Sequence, residues 1–250
     1  MANPLAITLQ ASTTDTVDGT GAGVDVTLDA AAVSTYPRGA AKLLLEVTAA
    51  SGTTPTLDVV VETSPSGSGS WKQVGAFDQV TAAGLQRLPV AGLERYVRVS
   101  WTIGGTTPSF TFAISGDAHT IYASPDDLVS LSSSAKVLAA IPAKDMARHL
   151  LAATGLLASF VEGANEGPLT AWGDDLRLAT SDVAMYHMVN SVIGHRPGEI
   201  DKSIKDRRDA AMAWAGAVKA GQQPLADTID ATPDTFEGGA FVYTDTKRGW

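Results

Sequence analysis

From Leu5 to about Ala118 apolar and polar positions alternate with a period of two. Leu5, Ile7 and Leu9 are separated by Ala6 and Thr8, and Val24, Val26 and Leu28 by Asp25 and Thr27. Leu43, Leu45 and Val47 share one parity, as do Leu57, Val59 and Val61, and as do Val97, Val99, Trp101 and Ile103. Phe110, Phe112 and Ile114 close the series. Such alternation places every second side chain on one face of a sheet, where it is buried against another layer. Turn signals stand between the runs: Asp18-Gly19, Ser51-Gly52, Ser64-Pro65-Ser66-Gly67-Ser68-Gly69 and Gly104-Gly105. About seven to nine short antiparallel strands with turns between them predict a β-sandwich.

Past His119 the period lengthens to that of helices. Ser124-Pro125-Asp126-Asp127 predicts a helix start, with Ser124 as N-cap, Pro125 in the first turn and two carboxylates at the positive dipole end. Pro142 opens a second helix with Met146, Leu150, Ala153, Leu157 and Phe160 on one face. Asp174-Asp175 begin a third, striped by Leu176, Ala179, Val183, Tyr186 and Val189, before Gly194 and Pro197. The fourth runs from about Asp201 to Ala220, with Ile204, Ala211, Ala215 and Val218 facing in and Gly221 just past its end. The tail from Pro224 onward has no helical period. The expected class is thus α+β and multidomain. It comprises an antiparallel β-sandwich over residues 1–118, a small four-helix domain over 119–227 and an extended C-terminal tail over 228–250.

Composition narrows the function classes. Acidic residues (27) outnumber Lys and Arg (18), giving a net charge of −9, and both halves share the excess; such a surface repels phosphate backbones. With no cysteine, disulfide frameworks, thiolate zinc sites and cysteine nucleophiles are excluded. Met1-Ala2-Asn3-Pro4 lacks a basic leader region, so no secretory signal is expected. The apolar stretch Leu150 to Val161, broken by Gly155 and Ser159, is short of the ~18–20 residues of a membrane span. The reading is a soluble protein made in a cytoplasm.

Candidate chemistry is sparse. Gly19-Thr20-Gly21-Ala22-Gly23 has phosphate-loop composition but precedes a strand pattern, which suits a hairpin loop. Ser133-Ser134-Ala135-Lys136 has the S-x-x-K spacing of acyl-serine enzymes without their companion motifs, and reads as an inter-helix linker. His119, His149, His187 and His195 form no metal-ligand pair; a loose cluster of His187 and His195 with Glu199 and Asp201 is the alternative to solvated histidines. Asp126-Asp127 and Asp174-Asp175 read as helix caps rather than paired catalytic carboxylates. No catalytic residue, cofactor or metal is expected, and the chain reads as a non-enzyme.

Three features point to contacts instead. Lys202, Lys205, Arg207 and Arg208, among Asp201, Asp206 and Asp209, form either a solvated helix face or a subunit- or partner-facing patch. The alanine-rich run Ala210 to Ala217 permits close helix approach. Gly238-Gly239-Ala240-Phe241-Val242-Tyr243-Thr244-Asp245-Thr246 reads as one strand after a hinge, able to add to a sheet edge of its own chain or of another.

Tyr122-Ala123-Ser124-Pro125-Asp126-Asp127-Leu128 resembles the opening Y-x-[ST]-x-x-D-L of the helical head–tail adaptor (connector) proteins of tailed bacteriophages and gene transfer agents, including the phage Mu-type family. Ala152-Ala153-Thr154, Gly167-Pro168-Leu169, Asp209-Ala210-Ala211 and Ala220-Gly221-Gln222-Gln223-Pro224-Leu225 follow in the family's order, over residues 122 to about 227. Phe160-Val161-Glu162-Gly163 stands where the family commonly has a basic residue, and the N-terminal sandwich is extra to the compact adaptor. The resemblance implies a closed homo-oligomeric ring, of about twelve subunits, under the portal protein in the virion neck. Stopper or tail-completion proteins would bind its other side, and DNA would pass without specific binding. It also implies portal docking by the tail, through Phe241, Val242, Tyr243 and Trp250. Location would be the portal vertex of the virion, after assembly in the host cytoplasm, with no membrane partner. Two other readings stand beside it: a capsid decoration or tail accessory protein, and a carbohydrate-binding module with Trp71 and Tyr96 as aromatic platforms.

Overall fold

The computed structural model describes residues 5–26, 39–131, 138, 141–164, 169–191, 202–225 and 229–230. Two strands of unusual length dominate it: β4 (Gly39–Ser64) and β7 (Tyr96–Thr120), of 26 and 25 residues, where about 5–6 is typical. They pair antiparallel from Gly39↔Thr120 to Ser64↔Tyr96. The other strands flank this ribbon in halves. β1 (Leu5–Asp15) lines the C-terminal half of β7, while β2 (Gly19–Thr20) and β3 (Val24–Asp25) line its N-terminal half. β6 (Gly84–Leu93) pairs with the first half of β4 and β5 (Lys72–Ala76) with the second. The result is one antiparallel sheet of seven strands.

The sequence reading placed turns at Ser51-Gly52 and at Gly104-Gly105; the chain instead continues through both as a shared corner. Gly52-Thr53-Thr54-Pro55 and Gly105-Thr106-Thr107-Pro108 lie opposite each other, each with a glycine near φ +115° and a threonine near +50°. Two facing irregularities of one conformation bend both strands while the ladder resumes on either side. The bend is sharp. Trp101 and Phe112 meet edge to face at 5.4 Å, although on a straight strand they would stand about 36 Å apart. The buried parity of β7 also changes across the corner, from Val97, Val99 and Trp101 to Phe110, Phe112 and Ile114. That change of phase is why one strand reads as two. Beyond the corner, Gly75 lets β5 approach β6: a Cβ there would sit 2.7 Å from Val90 Cγ1.

Four helices are described: α1 (Pro125–Leu131), α2 (Ala143–Ala164), α3 (Asp174–Ser191) and α4 (Lys202–Lys219). The expected helix starts at Ser124-Pro125, Pro142 and Asp174 are found, and that at Asp201 lies outside the described residues; in the third stripe Tyr186 is only half-buried, and Met185 and Met188 are buried beside it. Gly221, at φ +69°, closes α4 as expected, its N–H bonding to Val218 O and that of Gln222 to Ala217 O. A short ladder unexpected from the sequence joins β8 (Leu169–Ala171) to β9 (Ile229–Asp230), so the first residues of the expected tail return to the helices. The helical core includes Ala40 and Ala91 of the sheet, and the helices therefore seat on the β4–β6 end. The α+β class stands, with sheet and helices in contact. No described helix is long and apolar enough to cross a membrane.

Gly116 sits where a Cβ would meet the Lys42 carbonyl oxygen at 2.3 Å, whereas Gly84 has open space. Gly116→Ala is expected to lower unfolding stability by about 1–3 kcal/mol, and Gly84→Ala to leave it within about 0.5 kcal/mol. Urea unfolding of both variants checks this; equal losses would show that the β4–β7 approach is not the constraint.

Candidate functional site

The chain leaves β7 directly into the segment that carries the adaptor resemblance, and that segment is internal. Tyr122 and Asp127 are 3% and 5% exposed, and Ser124 and Leu128 are wholly buried. Each has a holding role. Ser124 and Asp127 form a reciprocal cap: Asp127 N–H donates to Ser124 Oγ at 3.2 Å, and Ser124 N–H donates to Asp127 Oδ2 at 2.8 Å. The Ser124 hydroxyl donates to the same oxygen at 2.9 Å. The other carboxylate oxygen takes a hydrogen bond from Arg177 of α3, which also reaches Asp174. Burial pushes the Asp127 carboxyl upward, but the bonds from Arg177 and Ser124 outweigh it and hold the group below its ordinary value.

Tyr122 ties the same node to α2 and to Trp172, just after β8. Its N–H donates to Thr154 Oγ1 at 3.2 Å, and its hydroxyl donates to Glu162 Oε1 at 2.8 Å. Its carbonyl accepts from Trp172 Nε1 at 2.8 Å, with the two rings edge to face at 5.0 Å. Burial, and then the hydrogen bond to the charged Glu162 carboxylate, push the phenol far above its ordinary value. The expected caps at Asp126-Asp127 and Asp174-Asp175 are found, and Asp127 does more than cap, since it is the anion that joins α1 to α3.

The four candidate cations near the start of α4 divide. Arg207 pairs with Asp182 of α3, and Arg208 lies 5.0 Å from the Tyr186 ring centroid while bonding Asp209. Lys205 also pairs with Asp209, at 3.1 Å. Lys202 is exposed, without an ion pair among the described residues. Half of the candidate patch thus holds α4 to α3, and the lysines are its outward part.

Sequence reasoning missed the junction of α2 with the end of α3. Ser191 Oγ lies 2.9 Å from His149 Nε2 and donates to the His187 carbonyl at 2.7 Å. With its proton given to that carbonyl, the serine accepts from the ring nitrogen and is no activated nucleophile. Alternation and stripe patterns carry no signal for such a pair, because Ser191 is exposed and His149 half-buried, and they stand on different helices.

The remaining candidates fall as follows. Trp71 carries the Arg98 guanidinium 4.1 Å over its ring, and a Cβ on Gly67 would sit 3.0 Å from the Tyr96 ring; each proposed platform already has a protein group on it. Gly19 and Thr20 pair with Trp101 and Ser100 as a strand, not as a phosphate loop. Ser133-Ser134-Ala135-Lys136, His195, Glu199, Asp201, and the tail residues Phe241, Val242, Tyr243 and Trp250 lie outside the described residues. Among the described residues no three metal-ligating side chains converge. A cavity of about 250 Å³ beneath residues 79–86 is lined by Leu45, Val47, Val80 and Leu85 with Gln79 and Gln86, and none of its described lining groups titrates near neutrality.

No family model matches the chain, and no curated protein matches it. Among solved structures it is similar to the PBSX exported protein XepA, with a TM-score of 0.32 and 17% identity. That match covers 46% of this chain and 37% of that one. A likeness of this extent fixes neither the fold nor the role.

The Asp127–Arg177 pair is nearly enclosed, with side chains 7% and 18% exposed. Arg177→Met is expected to cost about 3–5 kcal/mol at neutral pH, because it strands a buried carboxylate. The wild-type pair stabilises above the carboxyl's unfolded value of about 4 and loses that contribution as pH falls through its lower folded value. The deficit of the variant therefore shrinks below about pH 4. Urea unfolding at neutral pH and at pH ~3.5 checks this; a constant deficit would mean that Arg177 acts through its alkyl packing alone.

Proposed function

We propose that the chain is a non-catalytic structural protein of a tailed-phage particle, an adaptor whose helical layer assembles into a ring between portal and tail. The observation that carries this reading is the Tyr122–Asp127 node. The segment on which the resemblance stands is the one that fastens α1, α2 and α3 together, so the resemblance lies in the packing core of the helical layer. A motif of that kind specifies a scaffold, and the product of a scaffold is geometry.

In this reading the folded-over sheet serves as a two-layer, sandwich-like accessory on the ring. Lys202 and Lys205, on the outward face of α4, are subunit or partner contacts. The tail docks on the portal through Phe241, Val242, Tyr243 and Trp250, where strand pairing and aromatic burial offset the entropy of ordering it. The net charge of −9 suits a channel wall along which DNA moves without cation pairing.

Removing residues 238–250 is expected to leave a folded protein that no longer co-sediments with portal-filled heads. Unchanged co-sedimentation would remove the docking role of the tail. Immunogold labelling of whole particles separates the wider alternatives: one labelled vertex supports the adaptor, and label over the entire shell supports decoration instead.

A further inference from the structure

The sheet ends in open edges on both sides of the β4–β7 ribbon, and most of them are guarded. β5 is five residues long and begins with Lys72, and β2 and β3 have two residues each. β6 carries Arg87 and Pro89, and α2 packs against it. Short length, charge, proline and a covering helix are the usual protection of an edge against further pairing. β1 has little of it. It is eleven residues long, has no proline and no charged residue before Asp15, and pairs only with β7 among the described residues. Its middle is shielded, because bulges fall between Thr8 and Gln10 and between Gln10 and Thr13. Gly21 also stands there, where a Cβ would lie 2.9 Å from the Leu9 carbonyl oxygen. Residues 5–8 remain a regular run with an open outer edge, and Leu5, Ala6 and Thr8 are exposed.

Position, pattern and charge choose the occupant. β9 ends at Asp230, opposite Leu169. Trp172, just beyond β8, bonds to the carbonyl of Tyr122, two residues past β7, and Ala118 of β7 pairs with Leu5. The chain after Asp230 therefore departs from the end of the sheet at which β1 begins, and residues 231–239 span up to about 30 Å when extended. Ala240-Phe241-Val242-Tyr243 then supplies an alternating run of the same length as residues 5–8. Residues 5–26 contain no Lys or Arg, whereas the tail continues into Lys247-Arg248. Asp15 and Asp18 accept from the Thr13 hydroxyl and the Ile103 N–H, neither of them a cation. A strand entering beside Leu5 and running parallel to β1 carries Lys247 and Arg248 toward those two carboxylates.

We propose that in the free chain residues 240–243 add to β1 as a parallel edge strand along residues 5–8. The outer N–H and C=O groups of β1 gain partners, and the exposed Leu5 lies against an aromatic segment. The pairing stands without the portal reading. Where both hold, the tail reaches the portal by leaving one sheet edge for another.

Amide hydrogen exchange of the full chain, compared with a chain lacking residues 238–250, tests this. The deletion is expected to speed exchange at the outward N–H groups of residues 5–8 by about tenfold and to leave residues 72–76 of β5, also at an edge, unchanged. Unchanged exchange at residues 5–8, or an equal rise in β5, overturns the proposal. Val242→Pro/Tyr243→Pro in the full chain is expected to reproduce the rise, since one of two successive N–H groups must face β1; wild-type exchange in that variant also overturns it. Dilution by about a hundredfold is expected to change nothing. Protection that falls on dilution would assign the strand to a second copy and overturn pairing within one chain. No arm contains portal, so failure here is separate from failure of the co-sedimentation.

Discussion

The rest of the molecule depends on the antiparallel pairing of β4 with β7. These strands are the only described ones that run through both halves of the sheet, and every other strand of that sheet finds its partner on one of them. A ribbon so long cannot stay straight and bury one face, since a flat ladder of that length has nothing to pack against. Bending it once at Gly52–Pro55 and Gly105–Pro108 turns one apolar surface toward itself, as the Trp101–Phe112 contact records. The same pairing holds Ala40 against His119, which fixes where Ile121 and Tyr122 emerge. The helical layer is thereby built on the end of the ribbon.

At that exit the physics changes from alternation to enclosure. Tyr122, Ser124 and Asp127 are polar residues in an apolar setting, tolerable because their polar groups bond to one another across the cap or to Thr154, Glu162 and Arg177 on other helices. Such a node specifies one arrangement of three helices, since a misplaced helix would strand a carboxylate or a phenol. It also explains why a recognisable motif need not mark a binding surface. Residues selected to be enclosed carry information about packing and leave the outer faces of α1, α3 and α4 free to diverge.

What the sequence disclosed follows from this division. Leu43, Leu45, Val47, Leu57, Val59 and Val61 were legible because one-sided burial imposes a period, and the helix stripes for the same reason. The cap at Ser124 was legible because it is local. The corner was not, since Gly-Thr-Thr-Pro resembles a turn unless its two copies are seen to face one another. β8 and β9 escaped because two- or three-residue ladders have no period, and their pairing spans about sixty residues of sequence. Arg207 and Arg208 stood in a run that suits a solvated face or a partner patch; Asp182 and Tyr186, which they reach, lie on α3, a relation that charge spacing along one helix cannot contain. Trp71 and Tyr96 looked available for ligands because sequence does not show that Arg98 and Gly67 occupy their rings.

Holding strength is also graded along the chain. The sheet is fixed by large side chains such as Phe110, Phe112, Leu43 and Leu57, the α1–α3 node by enclosed polar bonds, and α4 by small residues with charged contacts at its edge. Large apolar burial responds little to pH, and enclosed ion pairs respond near carboxylate values. A protein with the proposed assembly role would gain from this order, because the parts that set its geometry are those held by the largest apolar burial. For an assembly role this means that a partner engaging α4 would meet a helix held by small buried side chains, apart from the large apolar side chains that fix the sheet.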